Sequence, residues 1–317
     1  MNEQDAPRFS VVIPAYNSTE TIGATLDSVL AQTSQDFELI VVDDGSSDRT
    51  PDLVQEYCAA DPHVTLIQQE NQGTAGARNT GIDASRGEFI SLLDNDDLWM
   101  PTYLDAMFSA LEADPGAGFA YTDAWVLNDA TKRIERRGCL EHYPPVPAGT
   151  SAEEFLFYLI EINFVMSSTT IRRAALKEVG GFDTSIRGVD DYDLWLRIVT
   201  AGWRAVQARG KQLIQRDHDS QSKDELLMID GLRATMRRVI GTDATPEPVR
   251  EVARGHIADL DRWERTVTGR DRLRFLALKA RLLAARPVKA VMPSRGLRTS
   301  PPPEIAAAFP ELANPDR

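Results

Sequence analysis

The sequence is poor in cysteine: Cys58 and Cys139 stand alone, far apart and in no metal-ligand spacing. A disulfide scaffold is thereby excluded, and a reducing compartment is expected. No run approaches the roughly 20 apolar residues that a membrane-spanning helix needs. Met1 to Arg8 is polar and acidic, with no basic stretch leading into an apolar one, so no signal peptide is expected. These absences point to a cytoplasmic protein that is not integral to a membrane. Positive charge is also scarce, with 35 Lys and Arg against 48 Asp and Glu, a formal net charge of -13. Non-specific binding of nucleic acid by the whole molecule is excluded on that ground.

What remains is an ordinary globular composition. A hydrophobic content of 42% over 317 residues supports a sizeable core, in one large domain or a domain with an appendage. The charge is uneven. Between Arg262 and Arg298 only Glu264 and Asp271 oppose a run of basic residues, so the acidity belongs to the first two thirds. Such asymmetry suggests two regions with different jobs. There are no internal repeats, and Pro301 to Arg317 reads as loosely ordered.

Short apolar runs at Phe9–Ile13, Phe37–Val42, Val64–Ile67, Phe89–Leu93 and Phe119–Tyr121 read as strands buried on both faces. Helical patterns lie between them. Ile22, Leu26, Val29 and Leu30 make one apolar face, with Asn17 and Glu20 as a capping box. Pro51 opens a second helix after Ser46 and Ser47 as caps. Ala75 to Ala84 and Thr102 to Ala113 follow. Alternating strands and helices predict an α/β fold with a mostly parallel sheet. After a Pro-rich loop, the spacing predicts a helix over Ala152 to Ile162, a strand over Val165 to Ile171 and a helix through Leu194 and Val199 stopped by Gly202. Beyond Ser222 the pattern is mainly helical.

In such sheets the ligand site lies at the carboxyl ends of the strands. Those ends carry Pro14-Ala15-Tyr16-Asn17, Asp43-Asp44-Gly45-Ser46 and Asp94-Asn95-Asp96-Asp97. Three carboxylates within four residues repel one another unless a cation or solvent relieves them. Mg²⁺ or Mn²⁺ takes oxygen ligands and often bridges a carboxylate to substrate phosphates. An EF-hand is a poor fit, because its Gly and distal Glu are missing. A solvated acidic loop, with Asp97 capping the next helix, is the plainer alternative. A second acidic group, Asp190-Asp191-Tyr192-Asp193, opens a helix, where a dipole favours ionised carboxylates. A carboxylate there suits either helix capping or removal of a proton from an attacking hydroxyl.

Five segments, in order, resemble the family 2 glycosyltransferases of the GT-A fold. They are Val11-Val12-Ile13-Pro14-Ala15-Tyr16-Asn17, Val41-Val42-Asp43-Asp44-Gly45-Ser46-Ser47-Asp48, Asn71-Gln72-Gly73-Thr74-Ala75-Gly76-Ala77-Arg78-Asn79, Leu92-Leu93-Asp94-Asn95-Asp96-Asp97, and Gly180-Gly181-Phe182-Asp183 with Asp190 to Arg197. The resemblance implies a GT-A, Rossmann-like catalytic domain over 1–222 and a mainly helical extension over 223–317. It implies an inverting transferase that moves a sugar from a nucleotide-diphosphate sugar to a carbohydrate or lipid-linked acceptor, with Mg²⁺ or Mn²⁺. Pro14, Ala15 and Tyr16 would line the nucleotide pocket, with Asp43 accepting from the base (the uracil N3–H for a uridine donor) and Asp44 beside it. Arg78 would lie near the ribose or phosphates, and Asp94 and Asn95 near the donor. Asp96 would be the principal metal ligand, assisted by Asp97, and His218 would approach the diphosphate or metal. Asp191 matches the catalytic base. The family's usual Glu-Asp is here Asp-Asp, which puts the first acid's role at Asp190 in doubt.

Two other classes were weighed. A non-catalytic nucleotide-sugar-binding protein of the same fold sits poorly with intact acids at Asp43, Asp94, Asp96 and Asp191. A nucleotidyltransferase wants a Gly-rich, basic loop after the first strand, which Pro14-Ala15-Tyr16-Asn17 is not. Trp195 falls on an apolar stripe and reads as core. Ser167, Ser168 and Thr169 are candidates to face the acceptor. The basic amphipathic stretch Arg272 to Ala285 suits packing on the catalytic domain or peripheral contact with anionic lipid.

Overall fold

Strand β1 (Phe9–Ala15) is buried along its whole length, and its alternate residues serve two cores. Val12 packs with Ile90, Leu92, Phe119 and Trp195 on one face, while Val11 and Ile13 pack with Leu26, Val29, Leu39 and Trp99 on the other. The period-2 alternation of a strand explains the division. A computed structural model describes residues 6–128, 133–135, 140, 146–147, 149–217, 224–267 and 303–309.

The first half of the sheet matches the sequence reading. β2 (Phe37–Asp43) and β4 (Phe89–Leu92) flank β1, and β3 (Val64–Gln68) lies outside β2, all parallel. The crossovers are α1 (Ile22–Leu30), α2 (Thr50–Ala60) and α3 (Gly73–Ala84). Beyond β4 the directions mix. The elements there are β5 (Leu98–Trp99), α4 (Tyr103–Ala113), β6 (Ala117–Asn128), β7 (Arg133–Glu135), α5 (Ala152–Glu161), β8 (Thr169–Arg172), α6 (Arg173–Val179), α7 (Asp190–Thr200) and β9 (Arg204–Asp217). The strand order is β3-β2-β1-β4-β8-β6-β9-β5, with β7 paired to β6. β8 enters antiparallel between β4 and β6 while β6 pairs parallel with β9, so the sheet is wholly parallel in its first block and mixed beyond it. Apolar content alone does not distinguish strand direction.

α3 is the element that carries the site, and it lies unusually close to the sheet. A Cβ on Gly81 would stand 2.4 Å from Val12 Cγ1 and 3.3 Å from Val42 Cγ2. Gly81→Ala is therefore expected to cost about 1–3 kcal/mol by overpacking. Urea unfolding of the variant checks this, and unchanged stability would mean that α3 moves away from β1 without penalty.

Three local expectations need correction. Asn17 and Glu20 do not cap α1, which has Thr21 at its N-cap and no side-chain cap. Asn17 instead takes a left-handed φ of 47° as the chain turns out of β1, a conformation that Asn tolerates. Its N–H donates to Ser46 Oγ at 2.9 Å, and its Oδ1 accepts from Ser47 N at 2.8 Å. Ser46 and Ser47 thus join the ends of β1 and β2, and Asp48 Oδ1 accepts the Thr50 N–H at the head of α2. Asp97 does not cap α4, whose N-cap is Thr102. By contrast α7 ends as expected: Gly202 is left-handed at φ 98°, with Gly202 N to Val199 O and Trp203 N to Ile198 O closing the turn.

The helices α8 (Glu225–Gly241) and α9 (Glu247–Val267) follow. Met236, Val239, Val249 and Ala253 join the same core as Phe155, Leu194 and Trp195. Arg238 binds Asp193 at 2.6 and 2.7 Å and also Asp183, which pins α8 to α7. The final stretch is not uniformly loose. α10 (Pro303–Ala308) buries Ile305, and with it Phe309, against Leu98, Trp125 and Ile214, because spacing i, i+4 puts both on one face. His218, Cys139 and the basic stretch 272–285 lie outside the described residues. No helix among the described residues is long and apolar enough to cross a membrane.

Candidate active site

The carboxyl ends of β1, β2 and β4 meet at one edge of the sheet. Ala15 and Asp43 are register partners, and Asp44 N donates to Ala15 O at 2.8 Å. Pro14 and Ala15 are buried, whereas Tyr16 is exposed at the rim. Asp43 is buried and its Oδ1 lies 3.4 Å from the Ser46 N–H that it accepts. The Asp44 carboxylate accepts from Gln69 Nε2 at 2.7 Å and from the backbone N–H groups of Gln72 and Gly73, each at 2.8 Å. Those contacts hold the β3–α3 loop and satisfy the head of α3. Asp44 is a loop anchor as well as a neighbour of Asp43.

The loop after β4 is crowded with acid. Both oxygens of Asp94 are engaged, Oδ1 by Arg78 Nη2 and Oδ2 by Ser167 Oγ, each at 2.6 Å. The carbonyl of Asn95 accepts from Thr25 Oγ1 at 3.1 Å. Asp97 is buried and accepts the Arg216 N–H at 2.9 Å. Burial first, and then the charges of Asp96 and Asp94, push its carboxyl well above the usual carboxylate range. Asp96 is half-buried.

The cation that the sequence implies for this loop is Mg²⁺ or Mn²⁺. Among the described residues no three His, Cys, Asp or Glu side chains are assembled as a metal cage. A hard divalent ion does not need one, since Mg²⁺ is commonly held by one or two carboxylates plus substrate phosphates. The acidic field that raises Asp97 also favours a cation beside Asp96. The residues are compatible with such an ion.

The second acidic group opens α7. Asp190 is buried and accepts from Arg78 Nη1 at 2.8 Å. Asp191 is half-buried, and its Oδ1 accepts the Tyr192 N–H at 2.7 Å. Burial and then the charge of Asp190 push its carboxyl up to about 7, against the opposing pull of Arg78 and the Tyr192 N–H. Arg78 is 4% exposed and spans both sides, gripping Asp94 with one Nη and Asp190 with the other. Asp190, where the family usually has the longer Glu, reaches Arg78.

Asn79 went unremarked in the sequence. Its amide donates to Phe182 O at 2.8 Å and accepts from Phe182 N at 2.9 Å, docking the Gly180-Gly181-Phe182-Asp183 turn on α3. The only signal was its place beside Arg78. Of the serines and threonine expected to face an acceptor, Ser167 meets Asp94. Ser168 is buried between Leu92 O and Trp99 Nε1, and Thr169 is buried too, so those two face the core. Trp195 is core as expected, 5.0 Å from Phe119, and Trp203 is occupied by Glu178.

Acidic residues thus gather at the carboxyl ends of β2 and β4 and at the head of α7. Residues 10–180 match the family model described as Glycosyl transferase family 2, more than half of the chain. The chain belongs to that family, and its fold is GT-A. An uncharacterised glycosyltransferase of Haemophilus influenzae is 30% identical over 193 residues, 60% of this chain and 62% of that protein. The UDP-Glc:alpha-D-GlcNAc-diphosphoundecaprenol beta-1,3-glucosyltransferase WfaP of Escherichia coli is 29% identical over 65% of this chain and 74% of its own. The match to the putative glycosyltransferase EpsH of Bacillus subtilis, 42% identical, spans only 30% of that protein. Among solved structures, S. aureus TarS 1-349 in complex with UDP-GlcNAc aligns with a TM-score of 0.65 at 18% identity, over 88% of this chain and 82% of that one. The mannosyltransferase PcManGT of Pyrobaculum calidifontis in complex with GDP-Man and Mn²⁺ aligns at 0.57 and 22%, over 90% and 76%.

Proposed function

We propose that this glycosyltransferase is an inverting, metal-dependent enzyme that moves a sugar from a nucleotide-diphosphate donor, uridine first among the candidates, to a glycan or lipid-linked acceptor. The observation that carries the reading is the single buried guanidinium of Arg78 joining Asp94 on the donor side to Asp190, the neighbour of Asp191. The donor side is Pro14, Ala15, Tyr16, Asp43, Asp44, Asp94 and Asn95, in the catalytic domain 1–222, with 223–317 as its extension. Asp96 would hold the cation, and His218 is a candidate second ligand. A bound Mg²⁺ or Mn²⁺ offsets negative charge on the departing diphosphate.

Asp191 accepts the proton of the acceptor hydroxyl as its oxygen attacks the anomeric carbon. Attack opposite the leaving diphosphate inverts that carbon in one displacement, the geometry of inverting sugar chemistry. A carboxylate raised towards neutrality is a stronger base than an ordinary one, and it is matched to the working pH. The uridine preference draws on the donors bound by TarS and used by WfaP, and the divalent ion on PcManGT. Calorimetry of uridine, guanosine and thymidine diphosphate sugars with and without Mn²⁺ tests donor and metal together. Absence of binding by all of them would defeat the reading.

A pH dependence follows. The base must be ionised, so kcat/KM is expected to fall as pH drops through about 7, the value to which Asp191 is raised in the ligand-free protein. A pH–rate profile measured at subsaturating acceptor reads that limb directly. A limb in the ordinary carboxylate range would exclude Asp191, as placed here, from the rate-limiting proton transfer.

A further inference from the structure

We propose that Arg78 is a positioning residue: by holding Asp94 with one arm and Asp190 with the other, it locks the loop after β4 to the head of α7 and so fixes the base against the donor. The inference rests on the reading of Asp191 as the base and goes beyond it. The family resemblance puts Arg78 at the donor's ribose or phosphates. Here both of its Nη groups are occupied by protein carboxylates, at 2.6 and 2.8 Å.

The surroundings are built to hold that guanidinium still. It is 4% exposed, with its Cζ 5.2 Å from the centre of the Phe182 ring. The next residue, Asn79, fixes Phe182 by a reciprocal pair of hydrogen bonds between its side-chain amide and the Phe182 backbone. Gly181 permits this approach, since a Cβ there would stand 2.9 Å from Asn79 Oδ1. Gly81, one turn along α3, seats the helix on β1. Arg78, Asp94 and Asp190 come from three separate segments, so the tie exists only in the folded chain. A planar fork with fixed donors can serve two carboxylates at once, which a lysine ammonium on a flexible stem does less well. Arg78 also stays charged at every working pH. The first acid of the pair therefore has a partner in Arg78.

The charged groups around Asp191 are Asp190 on its own helix, Arg78 from α3 and Asp94 after β4. Glu161 of α5 and His256 and Asp259 of α9 line a cavity of about 290 Å³ on the side of Val189 and Tyr192. Arg78 favours the ionised base and Asp190 opposes it, so removing each has an opposite electrostatic consequence.

The test uses Arg78→Gln, Arg78→Lys and Asp190→Asn in the full chain, each followed by steady-state kinetics, a pH–rate profile and calorimetry of UDP with Mn²⁺. All three variants are expected to lose about ten- to hundredfold in kcat, the scale of a misplaced reacting group, with donor KM unchanged. The acid limb is expected to move to higher pH in Arg78→Gln and to lower pH in Asp190→Asn, and to stay near the wild-type position in Arg78→Lys. A role confined to stability would not move the limb in opposite directions. Should Arg78→Gln fail to fold, Asp190→Asn retains the Arg78–Asp94 bond and carries the test with Arg78→Lys. Limbs unmoved in Arg78→Gln and Asp190→Asn, or a loss that appears in donor KM instead of kcat, overturns the proposal. Failure of the underlying reading looks different: Asp191→Asn would then keep turning over.

Discussion

Asp191→Asn is expected to lower kcat by about 10²–10⁴-fold, the usual contribution of a general base, while UDP binding with Mn²⁺ stays at the wild-type level. The amide is nearly isosteric with the carboxylate, and its oxygen can still accept the Tyr192 N–H that Asp191 Oδ1 accepts at 2.7 Å. It cannot take a proton from the acceptor. The fold gives this variant an internal control. Burial and Asp190 raise the Asp191 carboxyl, which means the folded protein disfavours its ionised form. The destabilisation is absent at pH below the ordinary carboxylate range and grows as pH rises from there through about 7. A neutral Asn escapes it, so the variant is expected to melt at or above the wild-type temperature near pH 8. Loss of turnover in a protein that melts no earlier isolates chemistry from folding. Wild-type turnover in Asp191→Asn would move the base elsewhere.

Asp96→Asn is expected to act on binding. Asp94 is committed to Arg78 and Ser167, and Asp97 is buried against the Arg216 N–H with its carboxyl raised. The proposed reading gives the cation to Asp96, which is half-buried. Removing its charge is expected to weaken Mn²⁺-dependent UDP binding by about ten- to hundredfold, a scale reached even by mutations outside a metal's direct ligands. Binding without metal is expected to be unaffected. Calorimetric titration of UDP into wild type and variant, each with Mn²⁺ and with EDTA, separates the two contributions. An equal enhancement by Mn²⁺ in both proteins would remove Asp96 from the metal site.

Much of this site was legible in the sequence because burial leaves a local trace. Phe9–Ile13, Phe37–Val42 and Phe89–Leu93 are apolar but for Ser10, Glu38 and Ser91, the near-continuous pattern of strands covered on both faces. The acids that follow them fall at strand ends, where a parallel sheet gathers its ligands. Asp43, Asp94 and Asp96 fall at such ends, whereas Asp191 opens α7 and is marked out by the family resemblance. The serines and Asn17 were misread because a short polar side chain near a helix start has the same local signature whether it caps that helix or bonds across to another strand. Asn17 chose Ser46 and Ser47, 29 and 30 residues away. Ser168 and Thr169 carry hydroxyls that suit a substrate, yet both are buried, Thr169 in a strand covered on both faces and Ser168 just before it.

The sequence by itself determined the family, the α/β order of the first four strands and the acids at their ends, because side-chain polarity and periodicity are local and survive in a string of letters. Only the tertiary structure decided that Arg78 meets Asp94 and Asp190, that Asp44 anchors a loop, that Asn79 clasps Phe182, and that Ile305 and Phe309 close over the far edge of the sheet. The reason is physical. A charged residue in solvent and one buried in a pair read alike in sequence, and the difference is made by a partner up to 112 positions away that the chain path alone brings within 2.8 Å.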